Sequence, residues 1–399
     1  MAMGGSGGSL SDVRVLEMGQ LLAGPFCAQI LGDHGAEVIK IEPPQTGDPM
    51  RQWGREKPHG KSLWWPVVAR NKKSVTLNLR ESAGQAVVKE LVALADVVVE
   101  NFRPGRLEAW GLGYEELKAI NPGIILVRVT GFGQDGPYAG QAGFGSIGEA
   151  MGGLRYIVGE PEGNPSRVGI SIGDALAGTM GAMGALAALH ARNRTGRGQV
   201  VDSAIFEAVL TYMESLIPEY DLAGYIRERT GSVLPNVAPS NVYPSSDGQI
   251  ILIAANQDTV FRRLAEAMRQ PELADDPRFE THSARGEAME ELDELIADWA
   301  RTLKADEILS LMHEHGVPAG RIYRAPEMLE DPHFASRESI VSVPHPEMGD
   351  FRMQNVFPKM SDTPGSVRWV GPSLGEHNDE ILKGLLGLTN EKISQAQEV

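Results

Sequence analysis

Three stretches of this 399-residue sequence carry residue types whose spacing could do chemistry. Gly131–Gly136 reads GFGQDG, the G-x-G-x-x-G spacing that lets a backbone approach a pyrophosphate. That chemistry needs a helix opening at the glycines and an acidic residue about 20 positions on for a ribose. Neither context is present, because Pro137 and the glycines Gly140, Gly143, Gly145 and Gly148 oppose a regular helix. A glycine-rich loop is expected there. Gly169–Gly173 reads GISIG and centres Ser171 in a G-x-S-x-G pattern. A nucleophile elbow requires strand, tight turn and helix in succession. Ile170–Ser171–Ile172 alternates as a strand does, and the following helix reads as starting at Asp174, three residues late for an elbow. A serine hydrolase using Ser171 with a base from His282, His313, His315 or His333 stays open as an alternative to an ordinary strand serine.

The third candidate is Asp174, between Gly173 and a long helix rich in Gly and Ala. Asp is a favoured N-cap, its oxygen accepting a first-turn N–H. The same position keeps a carboxylate ionised beside the positive helix end and available as a nucleophile. Gly173 would clear the approach for a bulky thioester. Within the helix, Gly178, Gly181 and Gly184 predict a face that another helix or subunit approaches closely.

These residues need a scaffold, and the first half of the chain supplies an alternating pattern. Strand-like Val13–Met18, Glu37–Glu42, Ser74–Leu79, Val97–Glu100 and Ile124–Thr130 are interleaved with helical stretches at Pro25–His34, Glu81–Ala95 and Tyr114–Ile120. Such βαβα alternation predicts a parallel sheet with ligands at the carboxyl ends of its strands. From about Tyr220 the pattern changes to a hairpin strand at Asp247–Ala255 and helices at Asp258–Met268, Gly286–Thr302 and Ala305–His315. Two antiparallel strands are expected within Ser339–Val356 across a turn at Met348–Asp350, with a final helix near Asn378–Leu386. The expected division is a flexible leader at 1–9, a large domain from 10–215 with 326–399, and a small α+β domain at 216–325.

Composition narrows the function classes. Asp and Glu outnumber Lys and Arg by 53 to 37, a net charge of -16, which opposes broad affinity for nucleic acid or anionic membranes. Cys27 is alone, so no internal disulfide can form and a zinc site would need His and carboxylate ligands. No metal is expected. Ala175–Leu189 is uncharged, but at 15 residues it falls short of a membrane span and reads as a buried helix. A cytoplasmic protein is expected. The 46 glycines follow no collagen-like or linker-like period.

Longer segments carry a resemblance. VLEMGQLLAGPFCAQILGDHGAEVIKIEPPQTGD, RNKKSVTLNL, DVVVENFRPG, GLGYEEL and above all GISIGDALAGTMGAMGALAALHARNRTGRGQVVD resemble the class III CoA-transferases of the CaiB/BaiF family, which include formyl-CoA transferase and carnitine CoA-transferase. The resemblance runs from about Val13 to the C-terminal helix. It implies an α/β fold: a Rossmann-like parallel-sheet large domain plus a smaller α+β domain, in a homodimer of interlocked rings. It aligns Asp174 with the family nucleophile, whose carboxylate attacks an acyl-CoA to give a mixed anhydride and free thiolate, then exchanges acids through an aspartyl-CoA thioester. CoA would be a substrate and no cofactor would be permanently bound. Thioester exchange between two acids is nearly thermoneutral, so the enzyme need only divide it into reversible acyl transfers and exclude water.

By the same resemblance, CoA contacts are expected at Leu22 and Ala23, at Leu77, Asn78, Leu79 and Arg80, at Asn101, Phe102 and Arg103, and at Gln141, Ala142, Gly143 and Phe144. Some positions depart from formyl-CoA transferase. Leu22 stands where that enzyme has a glutamine, Pro43, Ala109 and Ala142 replace basic contacts, and its glycine-rich lid is not visible around Gly231–Ser240. Lys40, Arg103 or Arg106 could supply the missing charge. Gly145 replaces a common acidic residue, and the His–Asp pair expected of the alternative, a 2-methylacyl-CoA racemase, is absent at Phe144–Gly145. Arg51, Arg55, His59, Arg70, Arg155 and Arg167 are candidate partners for a second carboxylate, which favours succinyl-CoA as donor and a small dicarboxylic or hydroxy acid as acceptor.

Overall fold

A computed structural model describes residues 8–399. The chain forms two compact units: one holds the chain up to Arg155 with Val168–Ile226 and His333–Val399, the other Tyr156–Arg167 with Arg227–Pro332. The helix Leu216–Ala223, expected in the small domain, therefore belongs to the first unit, and Tyr156–Arg167 to the second. Of the expected leader, residues 1–7 lie outside the described residues. Gly8 packs against the end of the first helix, where an added Cβ would stand 2.3 Å from the His34 carbonyl oxygen.

The first unit is built on β1 (Arg14–Glu17), β2 (Glu37–Glu42), β3 (Lys72–Thr76), β4 (Val97–Glu100), β5 (Ile125–Thr130) and β6 (Val200–Ala204). They form one sheet in the order β3-β2-β1-β4-β5-β6, with every neighbouring pair parallel. This is the doubly wound order, and the chain reverses its direction of winding between β1 and β4. β2, β4 and β5 are buried almost throughout, as strands covered on both faces must be. One face packs on α2 (Ser82–Val92), α3 (Tyr114–Ile120) and the C-terminal helix Asn390–Gln397, through Leu16, Ile39, Val75, Leu91, Leu117 and Ile393.

Against the opposite face lie α1 (Ala23–Asp33) and α5 (Ile172–Thr195), with the short α4 (Gly145–Met151) between them in sequence. α5 runs 24 residues, well beyond the expected 15, and by length and composition alone it could cross a membrane. Its glycines instead place it within the unit. An added Cβ at Gly178 would stand 2.7 Å from the Ala23 carbonyl oxygen of α1, and at Gly184 2.4 Å from Val201 Cγ1 of β6. The close approach predicted for this face is made by α1 and the sheet of the same chain.

The second unit carries an antiparallel sheet of β7 (Ser240–Pro244), β8 (Ile250–Ala254) and β9 (Ala319–Arg321). Phe261, Ile296 and Ile308 from the surrounding helices and Phe279 from a turn fill its core. The predicted helix Gly286–Thr302 is broken at Ala288 into His282–Glu287 and Met289–Ala300. In the first unit, β10 (Ile340–His345) and β11 (Gly349–Gln354) form the expected hairpin.

Candidate active site

The loop after β1 is held from both sides of the winding switch. Leu21 adopts φ 64, a left-handed backbone that a branched side chain resists. Its N–H donates to Asp48 Oδ1 at 3.0 Å, while Asp48 Oδ2 lies 2.8 Å from Lys40 Nζ. Lys40 also donates to the Gly19 carbonyl at 2.9 Å and to Glu17 at 2.6 Å. Lys72 contacts the other Glu17 oxygen at 2.7 Å and donates to the Pro25 carbonyl. All four charged side chains are buried. Burial opposes the Lys40 charge, but Glu17 and Asp48 outweigh it and hold the ammonium above its ordinary range. From the β4 side, Asn101 clamps the same loop: Gln20 N–H donates to its Oδ1 and its Nδ2 donates to the Gln20 carbonyl, each at 2.8 Å.

These bonds correct one expectation. Lys40 cannot replace a missing surface cation, because it is enclosed between Glu17 and Asp48. Arg103 and Arg106 do reach the surface, Arg106 over the Trp110 ring at 5.7 Å. Several arginines considered for a second carboxylate are likewise committed internally. Arg51 forks onto Glu42 with two 2.8 Å bonds, Arg70 onto Asp33, and Arg155 onto Glu149. Arg55 is exposed beside Glu56.

The residues expected to contact ligand all fall at the carboxyl edge of the parallel sheet. Leu22 and Ala23 open α1 after β1; Leu77–Arg80 follow β3; Asn101–Arg103 follow β4. Gln141–Phe144 end the long loop after β5, immediately before α4. Leu77 is buried, whereas Arg80, Arg103, Gln141, Ala142 and Phe144 are exposed. The Asn78 side chain is bonded to the Glu398 carbonyl and the Arg80 N–H, and Phe102 packs edge-on against Trp110 at 5.2 Å. No helix opens at Gly131, as expected of a loop; Gly131 instead packs backbone to backbone on Gly143.

Asp174 stands in the first turn of α5, but not as its cap. The helix begins at Ile172, two residues earlier than read from the sequence, and Ser171 takes the N-cap position. Asp174 is half-buried at the amino-terminal, positive end of the helix. Ile170–Ser171–Ile172 forms no strand, so Ser171 lacks the strand that an elbow turns from. Gly173 does not clear the approach to Asp174 either. It is buried against α4, where a Cβ would stand 3.0 Å from Glu149 Cγ, and its N–H donates to Glu149.

The clearing residue is Gly145, the first residue of α4. A Cβ built there would lie 2.2 Å from Asp174 Oδ2 and 2.7 Å from its Cγ, far inside contact distance. In the sequence Gly145 reads as a departure from the family pattern and as one of the glycines that oppose a helix, yet Gly145 and Gly148 both lie within α4. The importance of Gly145 had no local signal, since it depends on α4 meeting α5. The pairing of Glu17 with Lys40 likewise follows from the register of β1 against β2, where the two residues are cross-strand partners.

Beside the switch, Glu100 is pushed up to about 6, chiefly by burial, with Arg128 at 2.7 Å pulling the other way. Cys27, enclosed between α1 and α5, has its thiol raised to about 12 by burial and by the Glu17 charge. Among the described residues no group of three or more His, Cys, Asp and Glu side chains is placed to hold a metal ion.

The chain matches CoA-transferase family III over residues 10–378. The chain belongs to that family. This CoA-transferase is 63% identical over 388 residues to the succinyl-CoA–D-citramalate CoA-transferase of Chloroflexus aurantiacus, covering 97% of this chain and 96% of that one. It is 40% identical over 388 residues to the succinyl-CoA–L-malate CoA-transferase beta subunit of the same organism, covering 96% of each. Among solved structures, a CaiB/BaiF family protein from Brucella suis superposes with a TM-score of 0.84 at 35% identity, over 95% of this chain and 100% of that one. The CoA-transferase therefore moves CoA between an acyl-CoA and a small carboxylic acid by the class III route.

Proposed function

We propose that Asp174 is the carboxylate that carries the acyl group in this CoA-transferase. The observation that carries the reading is its place in the first turn of α5, at the carboxyl edge of the sheet, with the bare Gly145 against its Oδ2. One Asp174 oxygen attacks the thioester carbonyl, and the C–S bond breaks to release CoA thiolate and leave a mixed anhydride. The thiolate returns to the aspartyl carbonyl, frees the first acid and forms an aspartyl-CoA thioester. The incoming acid's carboxylate attacks that carbonyl and expels thiolate, giving a second anhydride. Attack of the thiolate on its acyl carbon forms the new acyl-CoA and restores Asp174.

Leu22, Ala23, Leu77–Arg80, Asn101–Arg103 and Gln141–Phe144 are the proposed CoA contacts, Arg80 and Arg103 meeting the phosphates as exposed cations in an otherwise acidic protein. Succinyl-CoA is the proposed donor and a small dicarboxylic or hydroxy acid the acceptor. The names of the two Chloroflexus relatives, one acting on D-citramalate and one on L-malate, support both choices. The proposed assembly is the interlocked homodimer in the cytoplasm. Large apolar side chains left exposed at Ile217, Tyr220, Leu222 and Ile226 support an interface with a second copy.

Incubation with succinyl-CoA and then hydroxylamine or borohydride should modify Asp174, as read by peptide mass spectrometry. Full transferase activity in Asp174→Ala would overturn the proposal. Labelling of Ser171 by a fluorophosphonate would support the hydrolase alternative instead.

A further inference from the structure

Glu149 has no place in the steps above, yet this carboxylate of α4 is completely buried. A charge taken out of water persists in a fold only where it is paired and hydrogen-bonded. Both of its oxygens are engaged: Oε1 accepts the Gly173 N–H at 3.3 Å, and Oε2 lies 3.1 Å from Arg155 Nε. Gly173 is the second residue of α5 and the one before Asp174. Its N–H belongs to the first turn, which has no acceptor within its own helix, so Glu149 supplies one from outside. The positive end of α5 favours the negative charge there.

Gly145 and Glu149 stand at i and i+4, so one face of α4 meets the opening turn of α5. On that face Gly145 leaves room for the Asp174 carboxylate, and Glu149 ties down the residue before it. The rest of α4 is seated as closely on the helix Ile205–Leu210 that follows β6. An added Cβ at Gly148 would stand 2.4 Å from Ile205 Cγ2, and one at Gly152, just past α4, 2.7 Å from the Phe206 carbonyl oxygen. Packed on both sides, α4 is a fixed support from which Glu149 reaches α5.

We propose that Glu149 is a positioning residue for CoA transfer: its carboxylate fixes the opening turn of α5 through the Gly173 N–H and so sets where Asp174 presents its attacking oxygen. Without that acceptor the turn can shift, and a displacement near 1 Å can cost about 100-fold in rate. The role calls for an acceptor and not for a charge. Arg155, with 26% of its side chain exposed, can turn to water when the charge is removed. The inference rests on the reading of Asp174 as the acyl carrier.

The test follows exchange of isotopically labelled succinate into succinyl-CoA by the full-length enzyme, which needs no second acid. Glu149→Met keeps the length of the side chain and removes the acceptor, whereas Glu149→Gln keeps an acceptor. Glu149→Met should lower kcat by about tenfold or more while KM for succinyl-CoA stays within about threefold. Glu149→Gln should keep kcat within about threefold of wild type. Full kcat in Glu149→Met, a rise in its KM that accounts for the loss, or a Glu149→Gln enzyme as impaired as Glu149→Met overturns the proposal. If circular dichroism shows Glu149→Met unfolded, Glu149→Gln decides alone: near-wild-type kcat sustains the proposal and a loss of about tenfold overturns it. Hydroxylamine trapping at Asp174 separates the two readings. Trapping present in wild type and undiminished in rate in Glu149→Met defeats only the role of Glu149, whereas trapping absent from wild type defeats the reading of Asp174.

Discussion

Gly145 and Asp174 meet so closely that a single methyl group cannot be placed between them: an added Cβ on Gly145 would stand 2.2 Å from Asp174 Oδ2. Gly145→Ala must therefore rotate the carboxylate or part α4 from α5. Because a displacement near 1 Å can cost about 100-fold in rate, kcat for CoA transfer should fall by about that factor. Donor KM should change less, since most of the proposed CoA contacts, at Leu22–Ala23, Leu77–Arg80 and Asn101–Arg103, sit on other loops. Steady-state kinetics with succinyl-CoA check this, and an unimpaired kcat would show that the carboxylate acts from another position.

The contact of α5 with α1 makes a stability prediction. An Ala at position 178 would place its Cβ 2.7 Å from a backbone oxygen, that of Ala23, and 3.1 Å from the Cys27 nitrogen, neither of which can swing away. Overpacking of this kind costs about 1–3 kcal/mol and exceeds the gain of up to ~1 kcal/mol from helix propensity. Gly178→Ala should lower the urea midpoint; a raised midpoint would mean that the helices separate freely.

Acid should loosen the ion-paired loop. Burial raises the Glu42 and Asp48 carboxyls, but Arg51 and Lys40 respectively outweigh it and hold both below their ordinary values. A carboxyl depressed in the folded state contributes stability above its unfolded pKa and loses it as pH falls through the folded one. Denaturant midpoints should therefore drop steeply below about pH 4. Asp48→Asn should be less stable at pH 7 and show a shallower acid limb; an unchanged limb would count against the pairing.

Cys27 should be inert in the folded protein. Its thiol is raised to about 12 and lies enclosed in the core, so almost no thiolate exists at neutral pH. A chromogenic disulfide reagent should react with it only on unfolding, at the unfolding rate. Rapid reaction of the native protein would place it nearer the surface.

Much was readable from local signals. Apolar runs and short turns mark β1, β2, β4, β5 and most of the helices, because a strand buried on both faces is rich in Val, Ile and Leu, whereas β3, expected at Ser74–Leu79, runs from Lys72 to Thr76 and opens on two lysines. β6 escaped notice: Val200–Ala204 carries Asp202 and Ser203 and has exposed positions, so its pattern is not that of a buried strand. The spacing of Gly178, Gly181 and Gly184 signalled close packing without naming the partner. The start of α5 was misjudged by two residues because Asp is so good a cap that it drew the boundary to itself, whereas packing against α4 carries the helix back to Ile172.

By itself the sequence determined the parallel-sheet plan, which follows from residue order and local periodicity, and its longer segments carried the resemblance that marks the family and singles out Asp174. Tertiary structure alone decided that Gly145 gives Asp174 its room and that Lys40, Arg51 and Arg70 are held by buried carboxylates. Each of these depends on distances between residues far apart in the chain. Whether a charge is free or an acceptor satisfied is set by what the fold brings beside it, and periodicity carries no record of that.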